Sequence, residues 1–328
     1  MRVLLLGATG TIGQATCKAL LDAGHSVVCW VREKAGVKAQ WSAEQSRELL
    51  AGAEIRFVDV KNPSSMQVHV LREERFDAIV SCMASRTGAP KDAWAIDYKA
   101  HSQLLKAAQQ AGITQFVLLS AICVQKPLLA FQQAKLAFEK ELCESGMNYS
   151  IVRPTAFFKS LSGQVKRLQQ NKPFLLFADG QLTACKPISD LDLGRFMAEC
   201  LSDPAKHNRI LPIGGPGDAI TPLQQGEYLF KAMGKPPKFK YVPVALLDVI
   251  IRVLQTLSWF IPPLAVKAEL ARIGRYYATE SMLVWDAQVM RYDAQATPSF
   301  GSQTLFEHYD QLLAGQANVQ LGEHAVFK

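Results

Sequence analysis

The chain has 328 residues, of which 49% are hydrophobic and 20% charged, the composition of a core-forming globular protein of one large α/β domain with an appended part, or of two domains. Its net charge is +7, but the lysines and arginines are scattered without an interleaved aromatic platform, so nucleic-acid binding is not expected. The seven cysteines include no C-x-x-C and the six histidines no H-x-x-x-H, which argues against a disulfide framework, a zinc site or an iron–sulfur cluster and for a reducing compartment. A basic surface suits an anionic cofactor, a carboxylate substrate or an anionic membrane.

The chain opens on four apolar residues, 3–6, that predict a short buried strand. Gly7-Ala8-Thr9-Gly10-Thr11-Ile12-Gly13 follows, then a helix predicted over 14–23 and closed by Gly24. In this G-x-x-G-x-x-G turn Gly7 allows a tight bend and Gly10 lets the backbone approach a pyrophosphate. Gly13 lets the helix lie close on the strand. The helix-start N–H groups, beside Thr9, Thr11 and Ile12, then face the phosphates. The second strand, 26–31, ends in Arg32-Glu33-Lys34. An acid at that point accepts the ribose 2′-hydroxyl of NAD, whereas an arginine pairs with a 2′-phosphate. Arg32, with Lys34 as a second cation, therefore selects NADPH; the competing reading is an exposed basic loop.

The third strand is predicted over 54–60, with Asp59 and Val60 beside the adenine, and the fourth over 76–82. Cys82, Met83 and Ala84 lead into a loop expected to line the cofactor. A helix over 94–111, a strand over 115–120, a helix over 136–143 and a strand over 149–152 complete the alternation. That order predicts an α/β fold with a Rossmann-type, doubly wound parallel sheet. Residues 1–155, up to Pro154 on the cofactor side, are expected to form the dinucleotide-binding domain. Residues 156–328 are expected to bind substrate, with some segments returning to the sheet.

Farther on, 210–217 reads as a strand and turn, and Thr221-Pro222 as the N-cap and first residue of a helix. The three prolines of 235–243 read as a linker. Residues 246–260 form an amphipathic helix, apolar at 246, 247, 250, 251, 254 and 257, that faces the core, rests on a membrane or covers an apolar substrate. Pro262 and Pro263 end it. No apolar run reaches the ~18 residues that span a bilayer. The first strand starts right after Met1, so no targeting peptide is expected and a cytoplasmic location is.

The chemistry centres on the fifth strand. Enzymes of the short-chain dehydrogenase/reductase superfamily carry a serine at this strand end and Tyr-x-x-x-Lys on the next helix. Here Ser120 is followed by Phe131-Gln132-Gln133-Ala134-Lys135, with phenylalanine in the tyrosine position. Ketone reduction needs that hydroxyl to protonate a localised alkoxide. Either the chain reduces a group that forms no alkoxide, or it only senses or carries NADPH.

Longer segments point to one family. Residues 120–129 (SAICVQKPLL), 150–161 (SIVRPTAFFKSL), 184–189 (ACKPIS), 211–217 (LPIGGPG) and 273–282 (IGRYYATESM) resemble the NADPH-dependent divinyl chlorophyllide 8-vinyl reductases. With the glycine turn, the resemblance runs over nearly the whole chain. It implies reduction of the 8-vinyl group of divinyl chlorophyllide or protochlorophyllide, a magnesium tetrapyrrole, to ethyl during (bacterio)chlorophyll biosynthesis. A hydride added to the terminal vinyl carbon leaves charge spread through the macrocycle. Phe131 can then pack on a flat ring while Lys135 holds the nicotinamide ribose. Tyr276, Tyr277 or water supplies the proton. Phe157 and Phe158 are core residues or substrate stackers. Arg153 and Lys126 anchor the backbone or pair with a propionate. The competing reading is a non-catalytic NADPH-binding redox sensor or photosystem assembly factor. No obligate protein partner and no resident metal are expected; a peripheral contact with photosynthetic membranes is.

Overall fold

The computed structural model describes residues 1–33, 42–62 and 75–316. Two compact units emerge. The first holds Met1–Arg86, Pro90–Pro154 and Asp190–Leu211; the second holds Thr87–Ala89, Thr155–Ser189 and the residues from Pro212 on.

In the first unit β1 (Arg2–Leu6), β2 (Ser26–Val31), β3 (Glu54–Phe57), β4 (Ala78–Ser81), β5 (Gln115–Leu119) and β6 (Asn148–Pro154) pair in parallel. After β7 (Phe174–Phe177), β8 (Arg209–Ile213) returns to the edge, giving the order β3-β2-β1-β4-β5-β6-β8. Val3, Leu4, Leu5 and Leu6 are wholly buried, the continuous apolar run of a strand covered on both faces. The strand order reverses between β1 and β4, which sets the ligand crevice at their carboxyl ends.

Helices differ from the sequence expectation mainly at their starts. Helix α1 (Thr11–Asp22) begins right after Gly10, its N-cap, and not at residue 14. After α2 (Ala43–Leu49), a continuous helical run, α3, joins Pro90–Ala93, the π-helical Trp94–Ala100 and His101–Gln110. Helix α4 (Ala130–Cys143) starts six residues before the predicted 136, because the Gln132 side chain accepts the Leu129 N–H at 2.9 Å and closes the first turn. Phe131 and Lys135 therefore ride on a helix. Strand β3 stops at Phe57 because Asp59 turns the chain, its carboxylate accepting the Lys61 N–H at 2.9 Å. The return segment adds α5 (Asp190–Glu199), which packs on α1.

In the second unit β7 pairs in parallel with β9 (Phe239–Val242), and β10 (Val284–Asp286) in antiparallel with β11 (Arg291–Asp293). The expected linker over 235–243 thus contains a strand. Its prolines, 236, 237 and 243, lie outside β9 and remove no ladder N–H. Helix α6 (Pro222–Ala232) is capped as expected, with the Gln224 N–H donating to Thr221 Oγ1 at 3.3 Å. Helices α7 (Val244–Ser258), α8 (Leu264–Thr279) and α9 (Leu305–Leu313) follow. Phe158, Phe174, Leu229, Phe230, Leu305 and Tyr309 form this unit's core. Tyr309 donates to the Leu161 carbonyl at 3.0 Å, so its buried hydroxyl is satisfied. The core-facing reading of the 246–260 helix fails: in α7 only Ile251 is buried. All seven cysteines are free thiols.

Candidate active site

The glycine turn is closed by backbone contact. Gly7 has φ +71°, and a Cβ there would stand 2.6 Å from the Cys82 carbonyl at the end of β4. A Cβ on Gly13 would meet the Gly7 oxygen at 2.1 Å. Neither position accepts a side chain, so α1 seats directly on the β1 turn. The Gly10 N–H donates to the Gly7 carbonyl at 3.0 Å, and the Gln14 side chain reaches the Thr9 carbonyl at 3.0 Å. No side chain caps α1 and no acid lies in its first turn. Its N-terminus, beside half-buried Thr9 and Thr11, is thus shaped and charged for a pyrophosphate.

Arg32 is exposed just after β2, on the same side of the sheet as the exposed Asp59 and half-buried Val60 beyond β3. Lys34 lies outside the described residues. The Asp59 carboxylate is already taken by the Lys61 N–H.

After β4, Cys82, Met83 and Ala84 run under the turn. The Cys82 thiol, pushed up to about 12 by burial, stays protonated near Thr16 Oγ1 at 3.5 Å. A buried network holds this loop. His101 Nδ1 lies 2.8 Å from the Ile96 carbonyl, which can only accept, so Nδ1 carries the proton. Nε2 then accepts from the Ser81 hydroxyl at 2.8 Å, and Ser81 Oγ accepts the Met83 N–H at 3.3 Å. Burial first, and Lys135 nearby second, push His101 down to about 4, so it is neutral at pH 7.

Two acids that the sequence did not single out organise α4. Asp97, on the π-helical turn and buried, lies 3.2 Å from Lys135 Nζ and accepts the Ser85 N–H at 3.2 Å. It therefore ties the lysine to the loop after β4. Glu139, one turn beyond Lys135 and buried, accepts from the Ser120 hydroxyl and pairs with Arg153, whose Nε stands 3.2 Å away. The spacing 131, 135, 139 on one helix face was legible; that Ser120 and Arg153 close on Glu139 needed the fold. Asp97 sits in a helical run whose pattern gave no sign of a π turn.

Gly7, Gly10, Cys82, Ser120 and Lys135 thus gather at the carboxyl ends of β1, β4 and β5. Phe131 is half-buried one turn before Lys135, and Pro154, at the end of β6, is buried. Lys126 is half-buried. Arg153 has Glu139 as its partner, which explains its place without a substrate. In the second unit Phe157 is half-buried and bridges to Ile188, but Phe158 is 2% exposed in the core against the His308 ring and is not a stacker. Tyr276 is buried, while Tyr277 is 43% exposed.

Together, the parallel sheet, the uncapped helix at a glycine turn and the anchored lysine define a Rossmann-type NAD(P)H-binding oxidoreductase. Residues 7–204 match the family described as NAD(P)H-binding. Over 99% of its length the chain is 49% identical to the chloroplastic divinyl chlorophyllide a 8-vinyl-reductase of Cucumis sativus, covering 79% of that protein. The chain belongs to the divinyl chlorophyllide a 8-vinyl-reductase family. A photosystem II assembly factor of Cyanophora paradoxa is 29% identical over 76% of this chain and 74% of its own. The NADPH complex of an Escherichia coli NADPH-dependent quinone oxidoreductase shares the fold, with TM-score 0.66 at 15% identity over 95% of this chain and 99% of that one.

Proposed function

We propose that this chain uses NADPH to reduce the 8-vinyl group of 3,8-divinyl chlorophyllide or protochlorophyllide to ethyl, in (bacterio)chlorophyll biosynthesis. The observation that carries the reading is the contrast on α4: Lys135 is buried and paired with Asp97, whereas Phe131 has no hydroxyl for an alkoxide. Bound NADPH supplies a hydride. The 7–13 turn and the first amides of α1 take its pyrophosphate, Arg32 its 2′-phosphate and Lys135 its nicotinamide ribose. Asp59 and Val60 flank the adenine; Cys82, Met83, Ala84, Ser120 and Pro154 line the nicotinamide side.

Negative charge arising beside the ring spreads through the conjugated macrocycle, so the chain needs position more than a local acid. Phe131 offers an apolar face to the tetrapyrrole, and Lys126 a cation to its propionate. One proton must reach the substrate to complete the ethyl group. Tyr276, Tyr277 or water supplies it; of the two phenols Tyr276 is buried and Tyr277 is exposed. The second unit serves as the substrate part. The chain acts in peripheral contact with photosynthetic membranes; among the described residues no helix is long and apolar enough to cross one.

Mixing the protein with NADPH and divinyl chlorophyllide should shift the Soret band to the blue and change the pigment's chromatographic retention. NADPH binding without turnover would sink the reading and favour the second one, a non-catalytic NADPH sensor or photosystem assembly factor. The similarity to the Cyanophora protein is what keeps that alternative in the test.

A further inference from the structure

The α7–α8 hairpin carries a second apolar face on its outside. On α7 the seam towards α8 carries Ile251 and the ion pair of Asp248 with Arg275. The opposite face carries Leu246, Val249, Ile250, Val253 and Leu257, all exposed. Their spacing of three and four residues makes one continuous outward stripe. The stripe runs into the turn between the helices, where Trp259 is 87% exposed, Phe260 81% and Ile261 50%. An aromatic pair at the tip of an outward apolar stripe is costly in water, and indole and phenyl rings are the side chains that settle at a bilayer interface.

Charge selects the occupant. Residues 235–279 hold seven basic and two acidic side chains, a net +5 against +7 for the whole chain. Both acids are held by arginines of the hairpin itself, Asp248 by Arg275 and Glu269 by Arg272. Among the described residues Lys238, Lys240, Arg252 and Lys267, all exposed, make no ion pair. A second copy seated on this face would bring a like-charged +5 segment against it. A surface of anionic lipid headgroups over an acyl interior complements both features. With 15 residues, α7 is about 22 Å long. That is too short to cross a bilayer, and the helix carries the Asp248–Arg275 ion pair along its seam, so it lies on the membrane.

We propose that the α7–α8 hairpin is a membrane-docking element that seats Trp259, Phe260 and the outward stripe of α7 in the interface of an anionic lipid bilayer. This deepens the peripheral contact named above and rests on it, but its readout is lipid binding alone, so it stands or falls separately from turnover.

The test is sedimentation of the full chain with vesicles of phosphatidylglycerol and phosphatidylcholine, and with vesicles of phosphatidylcholine only. The protein should bind the anionic vesicles at least ~10-fold more strongly, and added salt should weaken the binding. The pair Trp259→Ser, Phe260→Ser should lower anionic-vesicle binding at least ~10-fold while melting temperature and NADPH binding stay at the parent values, because both residues are exposed. Failure of the parent to bind anionic vesicles would overturn the proposal, as would undiminished binding by the double variant. Absence of vesicle binding, together with a concentration-dependent dimer that the double variant abolishes in ultracentrifugation, would assign the face to a second copy. Absence of vesicle binding with a raised KM for chlorophyllide would assign it to the substrate.

Discussion

Lys135 Nζ stands 3.2 Å from Asp97 Oδ1, with both side chains nearly closed to solvent, and the same Asp97 oxygen receives the Ser85 N–H. The lysine is thereby fixed to the loop that leaves β4. Removing either partner leaves a buried charge without compensation, which costs about 3–5 kcal/mol.

Lys135→Ala is therefore expected to cut kcat/KM by about 10²-fold or more through lost positioning, and to lower the melting temperature as well. Asp97→Asn should raise the KM for NADPH and lower kcat/KM about 10-fold or more while Lys135 is still present. The double change Lys135→Met with Asp97→Asn should recover stability relative to either single change but not activity. Steady-state kinetics and thermal melts on the set check this. Full activity in Lys135→Ala would mean that the cofactor is held elsewhere.

Arg32, exposed just after β2, is the residue proposed to take the 2′-phosphate. One charge-assisted contact there is worth roughly 1.5–3 kcal/mol. Arg32→Asp should raise the KM for NADPH at least ~10-fold and leave NADH nearly unchanged. Equal loss with both cofactors, in the same assay, would make Arg32 a structural residue.

The parallel sheet, its glycine turn and the seat of Ser120 and Lys135 were legible because each rests on local signals: an apolar run, a glycine spacing, a strand–helix alternation. The Asp97–Lys135 and Glu139–Arg153 pairs were not, since they join α3, α4 and β6 across 38 and 14 residues of sequence. Phe158 illustrates a different limit. Two adjacent phenylalanines look alike in sequence, but the chain direction after β6 sends one into a core and leaves its neighbour half-buried. The pattern of 246–260 disclosed an amphipathic helix, yet which face meets protein depends on α8, and the answer was the side of Ile251 and the Asp248–Arg275 pair.

His101 predicts a pH effect on stability. Its folded pKa, pushed down to about 4, lies below the ordinary value of 6.5, so the unfolded chain binds the proton more readily. The contribution is fully present above pH 6.5 and is lost as the pH falls towards 4, amounting to about 3 kcal/mol at the low end. Denaturant unfolding at several pH values should show this slope. His101→Gln should be less stable at neutral pH, with a shallower fall between pH 6.5 and 4; an unchanged slope would mean that other groups account for the acid sensitivity.

Phe131, one turn before Lys135 on α4, is where this chain departs from the superfamily pattern, and it gives the sharpest test of the chemistry. If charge from vinyl reduction is delocalised over the macrocycle, a hydroxyl at 131 has nothing localised to protonate. Phe131→Tyr should then leave kcat unchanged or lower it, because the new polar group meets an apolar ring and loses hydration. Its KM for divinyl chlorophyllide should rise while NADPH affinity, set by the glycine turn, Arg32 and Lys135, stays near the parent value. A solvent deuterium isotope effect measured on both proteins should be the same, since the proton comes from elsewhere. A strong acceleration by Phe131→Tyr, or a new isotope effect that appears only in that variant, would show that a local acid at this position does limit the reaction, and the delocalised-charge account would fail.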